Sequence, residues 1–170
     1  MTNKERDKNE AYTPKEYIDM IISVMGCINL DPASCAKANT VVRAAQYFTA
    51  DDDGMSYPWS GNVWLNPPYN DAYGVMGWVS NFIDEYKYGR MAQGIILVNA
   101  GMETAYAQKL VQEGSAFAVP SRRISFLDEN LEPMTSPRYA NLFTYFGDSE
   151  GVFHFLREFR EVGFVARTMT

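Results

Sequence analysis

Apolar residues recur on one face from Tyr17 through Ile18, Ile21, Ile22 and Met25, the spacing of an amphipathic helix. Thr13-Pro14-Lys15-Glu16 reads as its start. Thr13 is the expected cap, Pro14 suits the first helical position and Glu16 closes a capping box. Gly26 ends the helix. Cys27-Ile28-Asn29-Leu30 follows as a short strand running into Asp31-Pro32. The stretch Ala33 to Gln46 reads as helical in part, and Asp53-Gly54 as a turn. Asn62-Val63-Trp64-Leu65 is expected to be a buried strand ending at Asn66, because Pro67-Pro68 cannot continue a ladder. Val75, Trp78, Val79, Phe82, Ile83 and Tyr86 then give the clearest helical register in the chain. The run Gly94 to Asn99 is nearly all apolar, as in a central parallel strand. Beyond it the pattern predicts a helix from about Glu103 to Gln112 and short strands at Ala116–Val119, Ile124–Phe126 and Asn141–Phe146. A last amphipathic helix carries Val152, Phe155, Leu156 and Phe159.

Strands alternate with helices through the first two-thirds of the chain, and β structure dominates after that. The order predicts a three-layer α/β/α domain with a mostly parallel sheet and an antiparallel edge. One domain over residues 12–170, preceded by a flexible polar tail over residues 1–11, is the simplest organisation. Ligands of such sheets sit beyond the carboxyl ends of the strands. Asp31, Asn66 and Asn99 each fall at such an end.

Composition narrows the possibilities. With 46% hydrophobic and 14% aromatic residues the chain can bury a core and is not a disordered polymer. No apolar run approaches the roughly 18 residues of a membrane span. The polar start lacks the apolar segment of a signal peptide, so a cytoplasmic protein is expected. Cys27 and Cys35 match neither a redox pair nor a zinc-ligand spacing and read as two reduced, largely buried thiols. A single histidine, His154, argues against a histidine-rich metal site and against a catalytic triad. The net charge of -6 counts against a nucleic-acid partner, although Arg122-Arg123 and Arg138 leave room for a local basic strip.

The chemistry centres on Asn66-Pro67-Pro68-Tyr69. An exocyclic amino group on a nucleobase is a poor nucleophile because its lone pair is delocalised into the ring. Two acceptors aimed at its N–H bonds draw the nitrogen toward tetrahedral geometry. Asn66 offers a side-chain oxygen and Pro67 a backbone carbonyl, and the two prolines stiffen the turn in advance. Tyr69 can stack on a base extruded from its duplex. A neutral asparagine suffices, since the methyl donor gives up its positive charge as nitrogen gives up a proton. Asn and Pro are also common in ordinary strand-ending turns; the flanking strand and helix favour the chemical reading. The tetrapeptide itself leaves adenine, the amino group of cytosine and a glutamine amide all open. It also leaves open a non-catalytic module that binds a nucleotide or a partner on the same fold.

In these residues and their order the sequence resembles the phage-type, Dam-like DNA N6-adenine methyltransferases, a branch of the Rossmann-like enzymes dependent on S-adenosyl-L-methionine. The matching stretches are Tyr12-Thr13-Pro14, Leu30-Asp31-Pro32-Ala33, Asp53-Gly54-Met55 with Trp59, Asn66 to Tyr69, Arg123-Ile124-Ser125-Phe126 and Ser136-Pro137-Arg138, over about residues 12 to 147. The resemblance implies site-specific transfer of a methyl group to adenine N6 in DNA. It implies that Asn66, Pro67, Pro68 and Tyr69 hold the adenine. Thr13, Pro14, Asp31, Pro32, Ala33, Asp53, Gly54 and Asn66 would form the cofactor site, with Asp53 and Gly54 toward the adenosyl end. The turn after the first strand, Asp31-Pro32-Ala33-Ser34, has no glycine. It departs from general methyltransferases but agrees with this branch. The ribose-binding acid is not singled out among Asp51, Asp52 and Asp53.

Arg122 and Arg123, and more weakly Arg138 and Lys109, suit contacts to phosphates or a guanine edge. Trp59, Trp64 and Trp78 read as core, and Tyr12 and Tyr73 as core or rim. Either a monomer or a homodimer fits so small a domain.

Overall fold

A computed structural model describes residues 11–169, so the polar tail Met1–Glu10 lies outside the described residues. The elements in chain order are α1 (Lys15–Met25), β1 (Leu30–Asp31), α2 (Ala36–Val42), β2 (Gln46–Tyr47), β3 (Gly61–Leu65), α3 (Gly74–Lys87), β4 (Met91–Asn99), α4 (Ala105–Glu113), β5 (Ala116–Pro120), β6 (Asn141–Phe146), α5 (Ser149–Phe159) and β7 (Gly163–Arg167). All seven strands join one sheet in the order β2-β1-β3-β4-β6-β5-β7. The first four in that order pair in parallel. The remaining pairings, β4 with β6, β6 with β5 and β5 with β7, are antiparallel. The antiparallel part is therefore half of the sheet rather than an edge. It is broad because β6 inserts between β4 and β5, and the C-terminal β7 adds a further strand.

Alternate strand residues feed two separate cores, as strand geometry requires. Trp64, Ile95, Leu97, Phe143 and Tyr145 pack with Ile18 and Ile21 of α1 and Phe155 and Phe159 of α5. Val63, Leu65, Ile96, Val98 and Leu142 pack with Val75, Trp78, Val79 and Phe82 of α3 and Leu110 of α4. Helices thus contribute to both cores. All three tryptophans are in the core, at 0%, 1% and 4% exposure for Trp59, Trp64 and Trp78.

Several local expectations need correction. Thr13 does not cap α1; Pro14 occupies the cap position and no side chain caps the helix. The Pro14 carbonyl accepts from the amides of Tyr17 and Ile18 at 3.1 and 3.3 Å, which leaves Thr13 buried and turned toward the sheet. The expected strand Ile124–Phe126 forms no ladder; the Ile124 amide instead donates to Asn141 Oδ1 at 3.3 Å. Its neighbour Leu127 makes isolated bridges to Tyr12 and Pro133. Neither cysteine is fully buried: Cys27 is exposed and Cys35 half-buried. Cys27 lies in the turn after Gly26, and Cys35 caps α2 by accepting from the Ala38 amide at 3.4 Å.

Candidate active site

From β1 the chain passes through α2 to β2 on one side; from β3 it passes through α3 to β4 on the other. The connections diverge between β1 and β3, and the carboxyl ends of these two strands flank the crevice where doubly wound sheets bind ligands. Leu30 pairs with Val63 there, so Asp31 and Asn66 leave neighbouring strands in the same direction.

Asp31 is 3% exposed. Its Oδ1 accepts from the Ala33 amide at 3.2 Å. Burial pushes its carboxyl up to about 7, against the opposing pull of the Ser34 hydroxyl and the Ala33 amide. Ser34 Oγ is itself buried without a hydrogen bond of ordinary geometry, although it lies close enough to the carboxylate to favour the charged form. The Asp31-Pro32-Ala33 turn meets the Asp53-Gly54 turn directly. A Cβ on Gly54 would lie 2.0 Å from the Pro32 carbonyl oxygen, so only glycine permits this approach. Asp53 adopts φ 53°. Its Oδ2 accepts from Ser56 Oγ and Tyr73 Oη, both at 2.7 Å. These bonds hold the Asp53 carboxyl below its usual range and raise the Tyr73 hydroxyl above its own.

Asn66 closes β3. Its Nδ2 donates to the Ala11 carbonyl at 3.2 Å and to Thr13 Oγ1 at 3.4 Å. With both amide hydrogens directed there, Oδ1 is left as an acceptor. Among the described residues neither Asn66 Oδ1 nor the Pro67 carbonyl receives a hydrogen bond. Pro67 is buried and Pro68 exposed. The Tyr69 hydroxyl accepts from the Asn99 amide, at the end of β4, at 2.6 Å. Burial raises its pKa, while the side chain keeps 39% exposure. The ring is thus pinned at its hydroxyl and open to solvent elsewhere. Downstream, Asp71 takes the free donors at the start of α3: its Oδ1 accepts from the Tyr73 and Gly74 amides at 3.2 and 2.8 Å, and its Oδ2 from Trp78 Nε1 at 2.6 Å.

Arg122 and Arg123 are exposed and border a groove of about 430 Å³ that also takes in Pro14, Lys15, Glu16 and Tyr17 at the start of α1. Arg123 Nη1 donates to the Pro137 carbonyl at 3.3 Å, which draws the loop bearing Arg138 toward the same rim. Among the described residues none of these three arginines forms an ion pair. Lys15 and Arg43 are engaged with Asp19, Lys87 with Glu113, Arg90 with Glu85 and Arg157 with Glu158. Lys109 does not belong to the strip: it donates to Ser80 Oγ of α3 at 3.2 Å, on the opposite face of the sheet. Tyr12 is buried, while Tyr73 stands at the exposed rim.

The fold therefore joins Thr13 to Asn66, Pro32 to Gly54, and Arg122 and Arg123 to the start of α1. Sequence reasoning missed the Ala11 carbonyl, which has no side-chain signature, and Lys15 as part of the groove. It also passed over Ser34, whose only signal was its place three residues after a proline-bounded acid.

Comparison with curated proteins gives no match. A family model described as DNA N-6-adenine-methyltransferase (Dam) matches residues 1–143, which takes in every residue of the site and stops within β6. On that match, the chain belongs to the DNA N-6-adenine-methyltransferase (Dam) family.

Proposed function

We propose that the chain is a site-specific methyltransferase moving a methyl group from S-adenosyl-L-methionine to the N6 amino group of adenine in DNA. In this reading residues 12–170 form one Rossmann-like, three-layer α/β/α methyltransferase domain. Family membership supplies the reaction class. The observation that carries the reading is the Asn66 side chain, whose amide hydrogens are committed to Ala11 and Thr13 while Oδ1 stays an acceptor beside the Pro67 carbonyl.

The donor supplies an electrophilic methyl group on a positively charged sulfur. Residues suited to hold it lie around the crevice: Asp31, Pro32 and Ala33 on one turn, Asp53 and Gly54 on the facing turn, and Thr13 and Pro14 above. A buried carboxylate whose charge is disfavoured by desolvation, next to a hydroxyl lacking a well-formed hydrogen bond, fits a cationic or hydroxyl-bearing ligand.

For the acceptor, Asn66 Oδ1 and the Pro67 carbonyl take the two N–H bonds of the target amine and localise its lone pair. The Tyr69 ring, pinned through its hydroxyl, offers a face for the extruded base. A bound donor would give up its methyl group and keep the sulfur–methyl electron pair as a neutral thioether. The proton released by the amine would leave by way of the Asn66 and Pro67 oxygens that hold its N–H bonds and pass from there to solvent. Because the acceptors are fixed before the base arrives, little reorganisation remains for the reaction itself. Arg122, Arg123 and Arg138 are assigned to backbone phosphates at the groove.

The test is Asn66→Ala. Methyl transfer should fall by about a hundred- to a thousandfold, of the order seen on removing a preorganised polar group, with the circular-dichroism spectrum and melting transition retained. Turnover near that of the wild type would overturn the assignment.

A further inference from the structure

The N-terminal stretch Ala11 to Pro14 crosses the end of β3 as a strap. Tyr12 exchanges both backbone hydrogen bonds with Leu127, at 2.9 and 2.8 Å, and Pro14 opens α1. Thr13 is 4% exposed. The strap is therefore held on both sides and places two oxygens against Asn66: the Ala11 carbonyl at 3.2 Å and Thr13 Oγ1 at 3.4 Å from Nδ2.

We propose that this strap is the positioning element of the acceptor site, with Thr13 and the Ala11 carbonyl setting the orientation of the Asn66 amide. A backbone carbonyl only accepts, so the group facing it must be a donor. Turning the amide over would set oxygen against oxygen at Ala11 and would turn NH2, rather than Oδ1, toward the target amine. The Ala11 carbonyl thus imposes a requirement for a donor at position 66, which an ionised carboxylate cannot meet. Thr13 acts through Asn66 and is a positioning residue. Leu127, which pins the strap, lies in the same loop as Arg122 and Arg123, so the groove rim and the acceptor site share one support.

The inference rests on the proposed function, and its test separates the two. Thr13→Val keeps the shape and removes the oxygen; Thr13→Ser restores the oxygen. Labelled methyl transfer to DNA gives kcat and KM for the donor. Proton–nitrogen spectra of the ligand-free protein give the Asn66 side-chain NH2 signals, assigned by their loss in Asn66→Ala. Thr13→Val should lower kcat about tenfold, the mark of an interaction made in the transition state, over and above any rise in KM for S-adenosyl-L-methionine that its place beside the donor brings. It should shift the Asn66 NH2 signals, and Thr13→Ser should recover both. Asn66→Asp should show little turnover from pH about 5 to about 9, where an ordinary aspartate is ionised and cannot donate to Ala11, and should regain part of it as pH falls toward about 4. Wild-type kcat and unmoved NH2 signals in Thr13→Val would overturn the strap's role, as would a rise in KM with kcat unchanged. Absence of transfer by the wild type would overturn the functional reading instead, and the NH2 signals would still decide whether the strap orients Asn66.

Discussion

Burial takes the chemistry of Asp31 well away from its behaviour in water. Its carboxyl moves from 3.8 to about 7 because burial disfavours the charge. The folded protein therefore holds a proton between these two values that the unfolded chain has already released. Stability from this group is full below 3.8, declines as pH rises toward about 7, and is lost above that. Burying the charge costs at most about 4 kcal/mol by linkage. Asp31→Asn removes the cost, and its amide can donate to Ser34. We expect the variant to melt at a higher temperature than the wild type at pH about 8 and to gain little at pH about 4. Donor affinity should show the opposite side of the exchange. For the wild type it should strengthen as pH rises through about 7, and for Asp31→Asn it should be weak and flat. Calorimetric titration at both ends of that range checks this; a flat wild-type profile would count against a role for the ionised carboxylate. At this scale the placement of Asp31 and Asn66 at strand ends was legible because a strand followed by proline marks its own end. The Ala11 carbonyl was not, since every residue in the chain carries the same group.

The elements that make the crevice are two turns held by one close contact. Gly54 sits where any side chain would strike the Pro32 carbonyl, and its own carbonyl accepts from Trp59 Nε1 at 2.8 Å. Gly54→Ala must separate the turns after β1 and β2. An overpacking cost of about 1–3 kcal/mol is expected in urea unfolding. Donor affinity should fall as well, because Asp31 and Asp53 would lose their relative placement. Unchanged stability and affinity would show that the contact is not needed. The long helices and the central strand were readable because their apolar periodicity runs over several turns or a whole apolar run. The two-residue β2 and the half-buried β7 were not anticipated: neither carries enough alternation to stand above a loop. Ile124–Phe126 misled for a related reason. Ile124 is buried in the core that includes α1 and α5 and Phe126 packs against it, while the Ile124 amide is taken by a side chain, Asn141, rather than by a neighbouring strand. The pairing of Pro32 with Gly54 joins residues far apart in the chain and has no local signature.

Across the whole molecule the net charge of -6 sits against a DNA substrate, so the proposed function requires a local basic strip. Carboxylates pair Lys15, Arg43, Lys87, Arg90 and Arg157, whereas among the described residues Arg122, Arg123 and Arg138, like Lys37, Lys109, Arg160 and Arg167, form no ion pair, and Arg122 and Arg123 share one groove. Binding should then depend on few phosphate contacts and be sensitive to salt. Replacing Arg122 and Arg123 by alanine together should weaken DNA binding for all sequences alike. The slope of log affinity against log salt should become shallower by roughly 2, about 0.9 for each phosphate no longer neutralised. A slope identical to that of the wild type would place the DNA elsewhere. No helix among the described residues is long and apolar enough to cross a membrane. The central claim concerns which atom receives the methyl group, and product analysis tests it most directly. Unmethylated DNA is incubated with the protein and methyl-labelled S-adenosyl-L-methionine, digested to nucleosides and resolved by mass spectrometry. Label in the deoxynucleoside of N6-methyladenine, present with the wild type and abolished in Asn66→Ala, is the predicted result; label in that of N4-methylcytosine, or none in DNA, would contradict it.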